Sequence, residues 1–241
     1  MARSMRMAVA ALAALVAIGC RGKQEDRTPG EAPPVVDSAA GTAAQEANMG
    51  KDYSFTAEQK AWMMKVAKES SAAAAAGRDY TPPGPDPSWT LLADKGAAFV
   101  TLRRKKDGSL RGCIGHIIAR IPLYECIAEM GRSATIHDTR FAPVTPSEVP
   151  LIRYEISVLT PLEPVADPEE IVVGRDGVVL SLGYNQGVFL PQVPVEQGWD
   201  RTTYLDELCY KAGVPRTGCW KDKAAKLQKF QAIVWEEEDV E

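Results

Sequence analysis

The hexapeptide Leu110–Gly115, whose sequence is Leu-Arg-Gly-Cys-Ile-Gly, constrains the fold more than any other segment of the chain. It follows a hairpin-turn signal at Asp107-Gly108, and residues 97–102 before that turn have the apolar pattern of a strand. The hexapeptide is therefore predicted to lie on the returning strand, or in the loop just after it. Its glycines, Gly112 and Gly115, remove side chains on both sides of one thiol, so that another backbone or a ligand can approach closely.

The remaining signals predict an α+β fold with a mostly antiparallel sheet and flanking helices. Residues 152–160 alternate between apolar and polar side chains, which is the pattern of a strand. A capping box at residues 56–59 predicts one helix, Pro122 begins a second, and Asp200 caps a third. Residues 230–235 are predicted to form the last strand. The strands meet mainly through tight turns, and this connectivity favours antiparallel pairing.

The first 20 residues have the pattern of a bacterial export signal that ends in a lipid-attachment cysteine. Two arginines precede residues 7–18, an apolar run that is too short to span a bilayer. Small residues then lead to Cys20, as in a lipobox, so residues 1–19 are predicted to be a signal peptide and Cys20 to be acylated. The chain is therefore expected to be exported and held at a membrane, on its periplasmic or cell-surface face. The alternative is an ordinary signal peptide in which Cys20 is incidental.

Composition divides the rest of the chain into a linker and one domain. Residues 20–50 are rich in Ala, Pro, Gly, Glu and Thr and have almost no large apolar residues, so they are predicted to be a disordered tether. Residues 53–236 are long enough for one well-packed domain. The chain has a formal net charge of −4 at pH 7, which argues against nucleic-acid binding. The acidic end, residues 236–239, is predicted to be solvated.

Seven ordered segments resemble the successive signatures of the AMMECR domain, which is also called AmmeMemoRadiSam system protein A. They are residues 110–115, 138–144, 155–161, 173–177, 189–193, 198–200 and 211–213. The resemblance covers residues 53–236 and implies an α+β fold of two subdomains, with a groove near the cysteine motif. It implies no assigned activity. Many relatives occur beside a Memo-type protein and a radical S-adenosylmethionine enzyme inside the cell, and an exported chain is not expected to meet either partner.

Cys113 is the candidate catalytic residue. Positive charge from Arg111 and open backbone N–H groups would lower its pKa and make the thiolate a nucleophile or a redox group. The alternative is a small buried side chain packed in a strand. Glu155 is a weaker candidate, as a general base, and its alternative is a strand-face charge or an ion-pair partner. The histidines, His116 and His137, belong to no motif, and neither a metal site nor another cofactor is predicted.

Three cations form a candidate anion site. Arg111, Arg140 and Lys211 lie in separate motifs that the resemblance places around the groove, and together they would clamp a carboxylate or a phosphate. The alternative is that each cation pairs with a structural carboxylate. The carboxylates available for such pairs are Asp138, Glu155 and Asp206. The other predicted ligand contacts are Gly112, Gly115 and Gln192.

Four cysteines follow Cys20, and outside the cytoplasm disulfides persist. Cys209 and Cys219 are close in sequence, at the end of a predicted helix and just beyond it, so they are the candidate disulfide pair. Cys126 lies on the apolar face of its helix and is predicted to be in the core.

Three functions fit these residues. The first is a binding module that holds a small anionic ligand or a peptide beside Arg111 and Cys113, without turnover. The second is an enzyme in which the Cys113 thiol reacts with a carbonyl or phosphoryl group held by Arg111 and Lys211. The third is a scaffold in which the motifs serve folding alone. The lack of a persuasive base favours binding over catalysis.

Overall fold

The computed structural model describes residues 53–240, and within them nine strands form two antiparallel sheets. The helices are α1 (Ala57–Ala75), α2 (Thr90–Ala93), α3 (Leu123–Ile136), α4 (Gln192–Gln197) and α5 (Arg201–Lys211). The strands are β1 (Lys95–Arg104), β2 (Leu110–Gly115), β3 (Ile121–Pro122), β4 (Ile152–Leu159), β5 (Glu163–Pro164), β6 (Gly177–Leu182), β7 (Asn185–Phe189), β8 (Lys226–Phe230) and β9 (Ala232–Glu236). The predicted signal peptide, the lipid-attachment cysteine and the linker lie outside the described residues.

The two sheets have different strand orders. In the first sheet the order is β2-β1-β4-β9, and the short β3 pairs with the start of β1. In the second sheet the order is β5-β8-β6-β7. Every pairing is antiparallel. The predicted α+β class, with antiparallel sheets and flanking helices, is therefore confirmed. Within residues 53–240, none of the helices has the length and the apolar character that crossing a membrane requires.

Helices α1 and α3 cover one face of the first sheet. The capping box that begins α1 forms as the sequence indicates, since Gln59 N–H donates to Thr56 Oγ1 at 3.2 Å and Thr56 N–H donates to Gln59 Oε1 at 2.9 Å. Ala98, Val100 and Leu102 of β1 lie in the core beneath these helices. Burial of these apolar side chains stabilises the helix layer through the hydrophobic effect.

The opposite face of the first sheet packs against the second sheet, and we call it the inter-sheet face. It carries Phe99 and Thr101 of β1 together with Glu155 and Ser157 of β4. Phe99 lies in a buried cluster that includes Phe230 from the second sheet. Because both faces of the first sheet are covered, β1 and β4 are buried along most of their length. The polar residues that alternate along β4 therefore lie between the sheets rather than in solvent.

Helix α5 packs on the second sheet. Asp200 caps it as predicted, and its carboxylate accepts a hydrogen bond of 2.7 Å from Thr203 N–H. Tyr204 on the buried face lies in the core of this layer. Cys209, near the end of α5, is joined to Cys219 by a disulfide with a Cα–Cα distance of 5.8 Å. The disulfide therefore fixes the last turn of α5 to the segment that leads into β8.

The last predicted strand differs from its predicted form. The single strand expected at residues 230–235 is two strands, because β8 ends at Phe230 and β9 begins at Ala232. Between them Gln231 exchanges hydrogen bonds with Thr160, through Gln231 N–H to Thr160 Oγ1 at 2.8 Å and Thr160 N–H to the Gln231 carbonyl at 2.9 Å. The chain passes from the second sheet to the first at this point. Gln192, which the sequence analysis predicts as a ligand contact, is the first residue of α4.

The sequence predicts a solvated acidic end, but one of its residues is buried. Glu237 is buried, pairs with Lys68, and lies 3.9 Å from the ammonium group of Lys105. Its carboxylate also accepts a hydrogen bond of 3.3 Å from Tyr154 N–H. Such pairing is what a buried carboxylate requires. The acidic end therefore contributes to the edge of the first sheet.

Candidate functional site

Cys113, Thr101 and Glu155 form a row across three neighbouring strands, which we call the polar row. Thr101 of β1 is the register partner of Cys113 in β2 on one side and of Glu155 in β4 on the other. Residues directly opposite each other in antiparallel strands project from the same face of the sheet. The three side chains therefore project from the inter-sheet face, where the hydroxyl of Thr101 donates a hydrogen bond of 3.3 Å to Cys113 Sγ.

Asp138 and Arg140 cover the outer edge of β2 at Cys113. Asp138 accepts a hydrogen bond of 2.8 Å from Cys113 N–H, and Arg140 Nη2 donates one of 3.2 Å to the Cys113 carbonyl. The two side chains are also joined directly, through Arg140 Nε at 2.8 Å and Nη2 at 2.6 Å. Burial opposes ionisation of Asp138, but the hydrogen bonds from Arg140 and Cys113 outweigh it, so the net effect lowers the pKa of Asp138. The pair thus supplies the backbone partners that an edge strand lacks.

Arg111 does not belong to the anion site that the sequence suggested. Its side chain is buried, with the whole residue only 5% exposed. Its Nε and Nη2 donate to the two carboxylate oxygens of Glu148 at 3.1 and 3.2 Å, and this carboxylate was not among the partners considered from the sequence. The hydrogen bond from Arg111, with others from Thr145, lowers the pKa of Glu148 to about 2. Because its fork of donors is already matched by a carboxylate, Arg111 holds the fold rather than a ligand.

Gly112 and Gly115 have a packing role in the structure, and their role as ligand contacts stays a prediction. A methyl group on Gly112 would overlap the carbonyl oxygen of Ala134 in α3 and lie 3.2 Å from its carbonyl carbon. A methyl group on Gly115 would overlap the ring of Phe99. The glycines therefore let a helix and an aromatic ring approach β2 on its two faces. They do not open a surface around the thiol.

Arg140 and Lys211 are the two predicted cations that the structure brings together. Lys211 lies in the last turn of α5, with its ammonium group 5.7 Å from the ring centre of Phe189. Burial lowers the pKa of Lys211, and the positive charge of Arg140 lowers it further. Arg140 remains partly accessible, with 23% of its side chain exposed. The two positive charges therefore lie within electrostatic reach of each other.

Glu155 is the member of the polar row on β4, and Ser157 follows it two residues later on the same strand. Glu155 is 9% exposed, and the one ion pair of its carboxylate within residues 53–240 is to Arg103 Nε at 3.7 Å. Burial raises the pKa of Glu155, Arg103 opposes this rise, and the carboxylates of Glu236 and Glu196 add to it. Glu196 lies in α4, the short helix that begins at the half-buried Gln192. Ser157 is 1% exposed, and its Oγ has no hydrogen-bond partner in the described part of the chain.

The environment of Cys113 disfavours the thiolate. Burial raises its pKa, the hydrogen bond from Thr101 and the charge of Arg140 oppose this rise, and Glu155 and Asp138 add to it. The net pKa of Cys113 is therefore above its ordinary value, whereas a nucleophilic cysteine requires a lowered one.

The two histidines do not assist Cys113. His116 Nε2 lies 3.4 Å from Glu129 at the surface, and His137 is exposed after the last turn of α3. Residues 53–240 contain no group of three or more His, Cys, Asp or Glu side chains that would hold a metal ion. Neither histidine is therefore positioned as a base for the thiol.

Thr101, Ser157 and Glu148 are the residues of this region that the sequence did not identify. Thr101 and Ser157 are of residue types that occur commonly in strands. Only the strand register shows that they lie near Cys113 and Glu155. The alternation of residues 152–160 puts Ser157 and Glu155 on one face of the strand. This alternation was the only sequence signal that could have linked Ser157 to the site. Nothing in the local sequence indicates that Glu148 pairs with Arg111.

Comparison with known proteins gives a consistent match. The AMMECR1 family model matches residues 64–235. A protein of Thermococcus gammatolerans is 42% identical over 170 residues, which are 67% of this chain and 82% of that protein. Protein MJ0810 of Methanocaldococcus jannaschii is 43% identical over 153 residues, which are 61% of this chain and 76% of that protein. The crystal structure of uncharacterized protein PH0010 from Pyrococcus horikoshii is similar with a TM-score of 0.66 and 38% identity, covering 73% of this chain and 90% of that one.

Proposed function

The chain belongs to the AMMECR1 family, and from that premise we propose that it is a binding module for a small ligand carrying a carboxylate or phosphate group. The observation that carries the proposal is that Arg140 and Lys211, from two segments far apart in sequence, lie within electrostatic reach of each other, while Arg140 also acts on Cys113. Two positive charges in a partly buried place repel each other, and this repulsion destabilises the fold. A bound anion would relieve this repulsion, and the relief would contribute to the free energy of binding. Charged groups with perturbed pKa values are concentrated at functional sites.

Arg140 has a donor left for such a ligand. Its Nε and Nη2 bond to Asp138 and to the Cys113 carbonyl. Its Nη1 forms no hydrogen bond to any described residue, and part of the side chain is exposed. Because Asp138 fixes the guanidinium plane, the remaining donor is oriented before a ligand arrives. Binding to a preorganised donor loses less conformational entropy than binding to a free side chain.

The alternative of a thiol-dependent enzyme has weaker support. Cys113 would have to ionise next to the carboxylates of Glu155 and Asp138, which raise its pKa together with burial. The side chain of Glu155 projects from the same inter-sheet face, but its own pKa is raised. The hydrogen bond to the sulfur comes from the hydroxyl of Thr101, which is not a base. A raised thiol pKa leaves little thiolate at neutral pH. Binding without turnover therefore accounts for more of the geometry.

Isothermal titration with inorganic phosphate, citrate and acetate tests the proposal. We expect at least one of these anions to bind wild type, to raise its melting temperature, and to bind Lys211→Gln about tenfold more weakly. Tenfold corresponds to about 1.4 kcal/mol. Lys223→Gln, at an exposed lysine in the turn before β8, is the matched control and should bind as wild type does. If no anion binds, or if both variants behave alike, the anion site is wrong and a scaffold role remains.

We also propose that the chain works outside the cytoplasm, anchored to a membrane through Cys20. The disulfide between Cys209 and Cys219 supports this proposal, because such bonds persist mainly in oxidising compartments. Cys20→Ala should move the protein from the membrane fraction to the soluble fraction of the cell. An unchanged distribution between these fractions would refute the anchor.

A further inference from the structure

Residues 216–226, which we call the basic segment, concentrate positive charge on a small part of the surface. The segment contains four cations and one acid, whereas the whole chain has a formal net charge of −4 at pH 7. The disulfide at Cys219 ties the segment to α5, and its last residue pairs with β6 at Ser181. The cations, all of them exposed, are Arg216, Lys221, Lys223 and Lys226. Because the segment is short and attached to the fold at both of these places, the four charges stay close together.

The three lysines of the basic segment form no ion pair with a carboxylate of the described residues. Asp222, the acid of the segment, is paired with Arg216 at 2.9 Å. Asp206 of α5 accepts a hydrogen bond of 2.8 Å from Trp220 Nε1 and another of 2.7 Å from the backbone of the segment. The carboxylates nearest to the lysines in sequence therefore have other partners.

Residues 103–106 are a second run of cations, and carboxylates neutralise part of it. Arg103 lies 3.7 Å from Glu155, and Lys105 lies 3.9 Å from Glu237. Two of these four cations are thus in ion pairs, whereas only Arg216 is paired in the basic segment. The basic segment therefore presents more unpaired positive charge to its surroundings.

An exposed aromatic ring lies at the same end of the second sheet as the basic segment. Tyr184 is at the tip of the turn between β6 and β7, and its side chain is fully exposed. Lys226 is the register partner of Ser181, which lies two residues before that turn, or roughly 7 Å along the strand. On the other side of the turn, Asn185 approaches Gly213, just after α5. The hairpin tip and the basic segment therefore belong to one end of the domain, which we call the basic end.

We propose, beyond the anion site and resting on the anchor at Cys20, that the basic end docks on a membrane surface that contains anionic phospholipid. Its lysines contact the phosphates of the headgroups, and the ring of Tyr184 enters the headgroup layer. Clusters of basic residues are attracted to anionic lipid surfaces. Tyrosine favours the membrane interface because its ring is apolar and its hydroxyl is polar. The net negative charge of the chain as a whole is repelled by the same surface, so the basic end is the part that turns toward it.

The anchor and the basic end have complementary roles. The sequence predicts that residues 20–50 are a tether, and a flexible linker of that length spans roughly 30 Å on average. Such a tether keeps a domain near the membrane without selecting which face meets it. A weak contact becomes effective when a linker raises the local concentration of its partner. The anchor thus supplies proximity, and the basic end supplies orientation.

Co-sedimentation with lipid vesicles tests the basic end apart from the anchor, because full-length Cys20→Ala protein lacks the acylation site. The probe is a vesicle of equal parts phosphatidylglycerol and phosphatidylcholine, and the reference is a vesicle of phosphatidylcholine alone. We expect the protein to bind the anionic vesicle at low salt and to bind the reference at least about tenfold more weakly. About 0.5 M sodium chloride should release it, because salt screens exposed charges.

A variant that carries Lys221→Gln, Lys223→Gln and Lys226→Gln removes three charges from the basic end. Each basic residue close to an anionic surface contributes roughly fivefold in affinity, so this variant should bind the anionic vesicle at least about twentyfold more weakly. All three side chains are exposed, so the melting temperature should stay close to that of wild type.

The matched control carries Lys65→Gln, Arg78→Gln and Lys106→Gln, three exposed cations outside the basic end. It loses the same net charge and should bind the anionic vesicle within about threefold of wild type. Tyr184→Ser tests the aromatic ring without changing the charge. It should bind about threefold more weakly, and unchanged binding would remove the ring from the docking surface.

The other results are equally decisive. If the triple-lysine variant and its control bind alike, or if the two vesicles bind alike, the docking surface is wrong. If a single-stranded oligonucleotide binds through the same lysines and the anionic vesicle does not bind, the basic end serves nucleic acid and the lipid proposal falls. The anion site and the anchor fail separately, because Lys211→Gln tests the first and cell fractionation of Cys20→Ala tests the second.

Discussion

Replacing Gly112 with alanine is expected to destabilise the fold rather than to weaken ligand binding alone. The added methyl group would overlap the carbonyl oxygen of Ala134 and lie 3.2 Å from its carbonyl carbon. Both groups belong to backbone, so neither β2 nor α3 can yield by a rotation of a side chain. Overpacking in a core typically costs about 1–3 kcal/mol, and a clash between two backbones belongs at the upper end, near 3 kcal/mol. For a domain of this size that corresponds to a melting temperature lower by roughly 6–12 °C.

Thermal unfolding followed by circular dichroism measures this change. Gly84→Ala is the matched control, because no atom lies within 4 Å of a methyl group added there. Its stability should stay within about 0.5 kcal/mol of wild type. A Gly112→Ala protein that melts at the wild-type temperature but no longer binds an anion that wild type binds would refute the packing explanation. Gly112 would then be a ligand contact, as the sequence first suggested.

Three further predictions address the thiol, an ion pair and the disulfide. Cys113 should react with iodoacetamide at pH 7.5 more slowly than a free thiol, and its reaction should accelerate at a higher pH than that of a free thiol, because its pKa is raised; fast labelling at pH 7.5 would contradict this. The pKa of Glu148 is lowered to about 2 by Arg111, so the ion pair of these residues stabilises the fold above about pH 4.3, which is the pKa of a glutamate in the unfolded chain. This stabilisation is lost as the pH falls toward 2; Glu148→Gln should lack this part of the acid transition in pH-dependent denaturation. Serine at both Cys209 and Cys219 should lower the free energy of unfolding by ~2.5 kcal/mol, as expected for a loop of this length, in urea denaturation; an unchanged midpoint would refute a stabilising bond.

The sequence was sufficient for elements that depend on local rules. The capping box of α1 and the Asp200 cap of α5 follow from side chains within three residues of the bond they form. The hairpin between β1 and β2 follows from Asp107-Gly108, whose glycine has a φ of 69°. The division into two sheets was not predictable in this way. The break at Gln231 depends on hydrogen bonds with Thr160, which is far away in the chain.

The candidate site was predictable only in part, for a related reason. Arg140 and Lys211 were identified as cations, but no local pattern indicates that they lie within electrostatic reach of each other. The polar row depends on register, since shifting β4 by one residue would turn Glu155 to the helix-covered face. Arg111 was assigned to the wrong role because its partner, Glu148, is distant in sequence. Residue types thus indicated the chemistry, while long-range pairing decided which residues perform it.

The two arginines of the cysteine region have different roles, and Phe141 explains how those roles are connected. Its ring centre lies 5.9 Å from the guanidinium carbon of Arg111 and 5.6 Å from that of Arg140. Arg111 is locked by both oxygens of Glu148, so it fixes the position of the ring from the buried side. The ring and Asp138 then hold Arg140 at the edge of β2. A cation held in this way loses little freedom when an anion binds, which favours selective binding of a weak ligand over covalent chemistry at the nearby thiol.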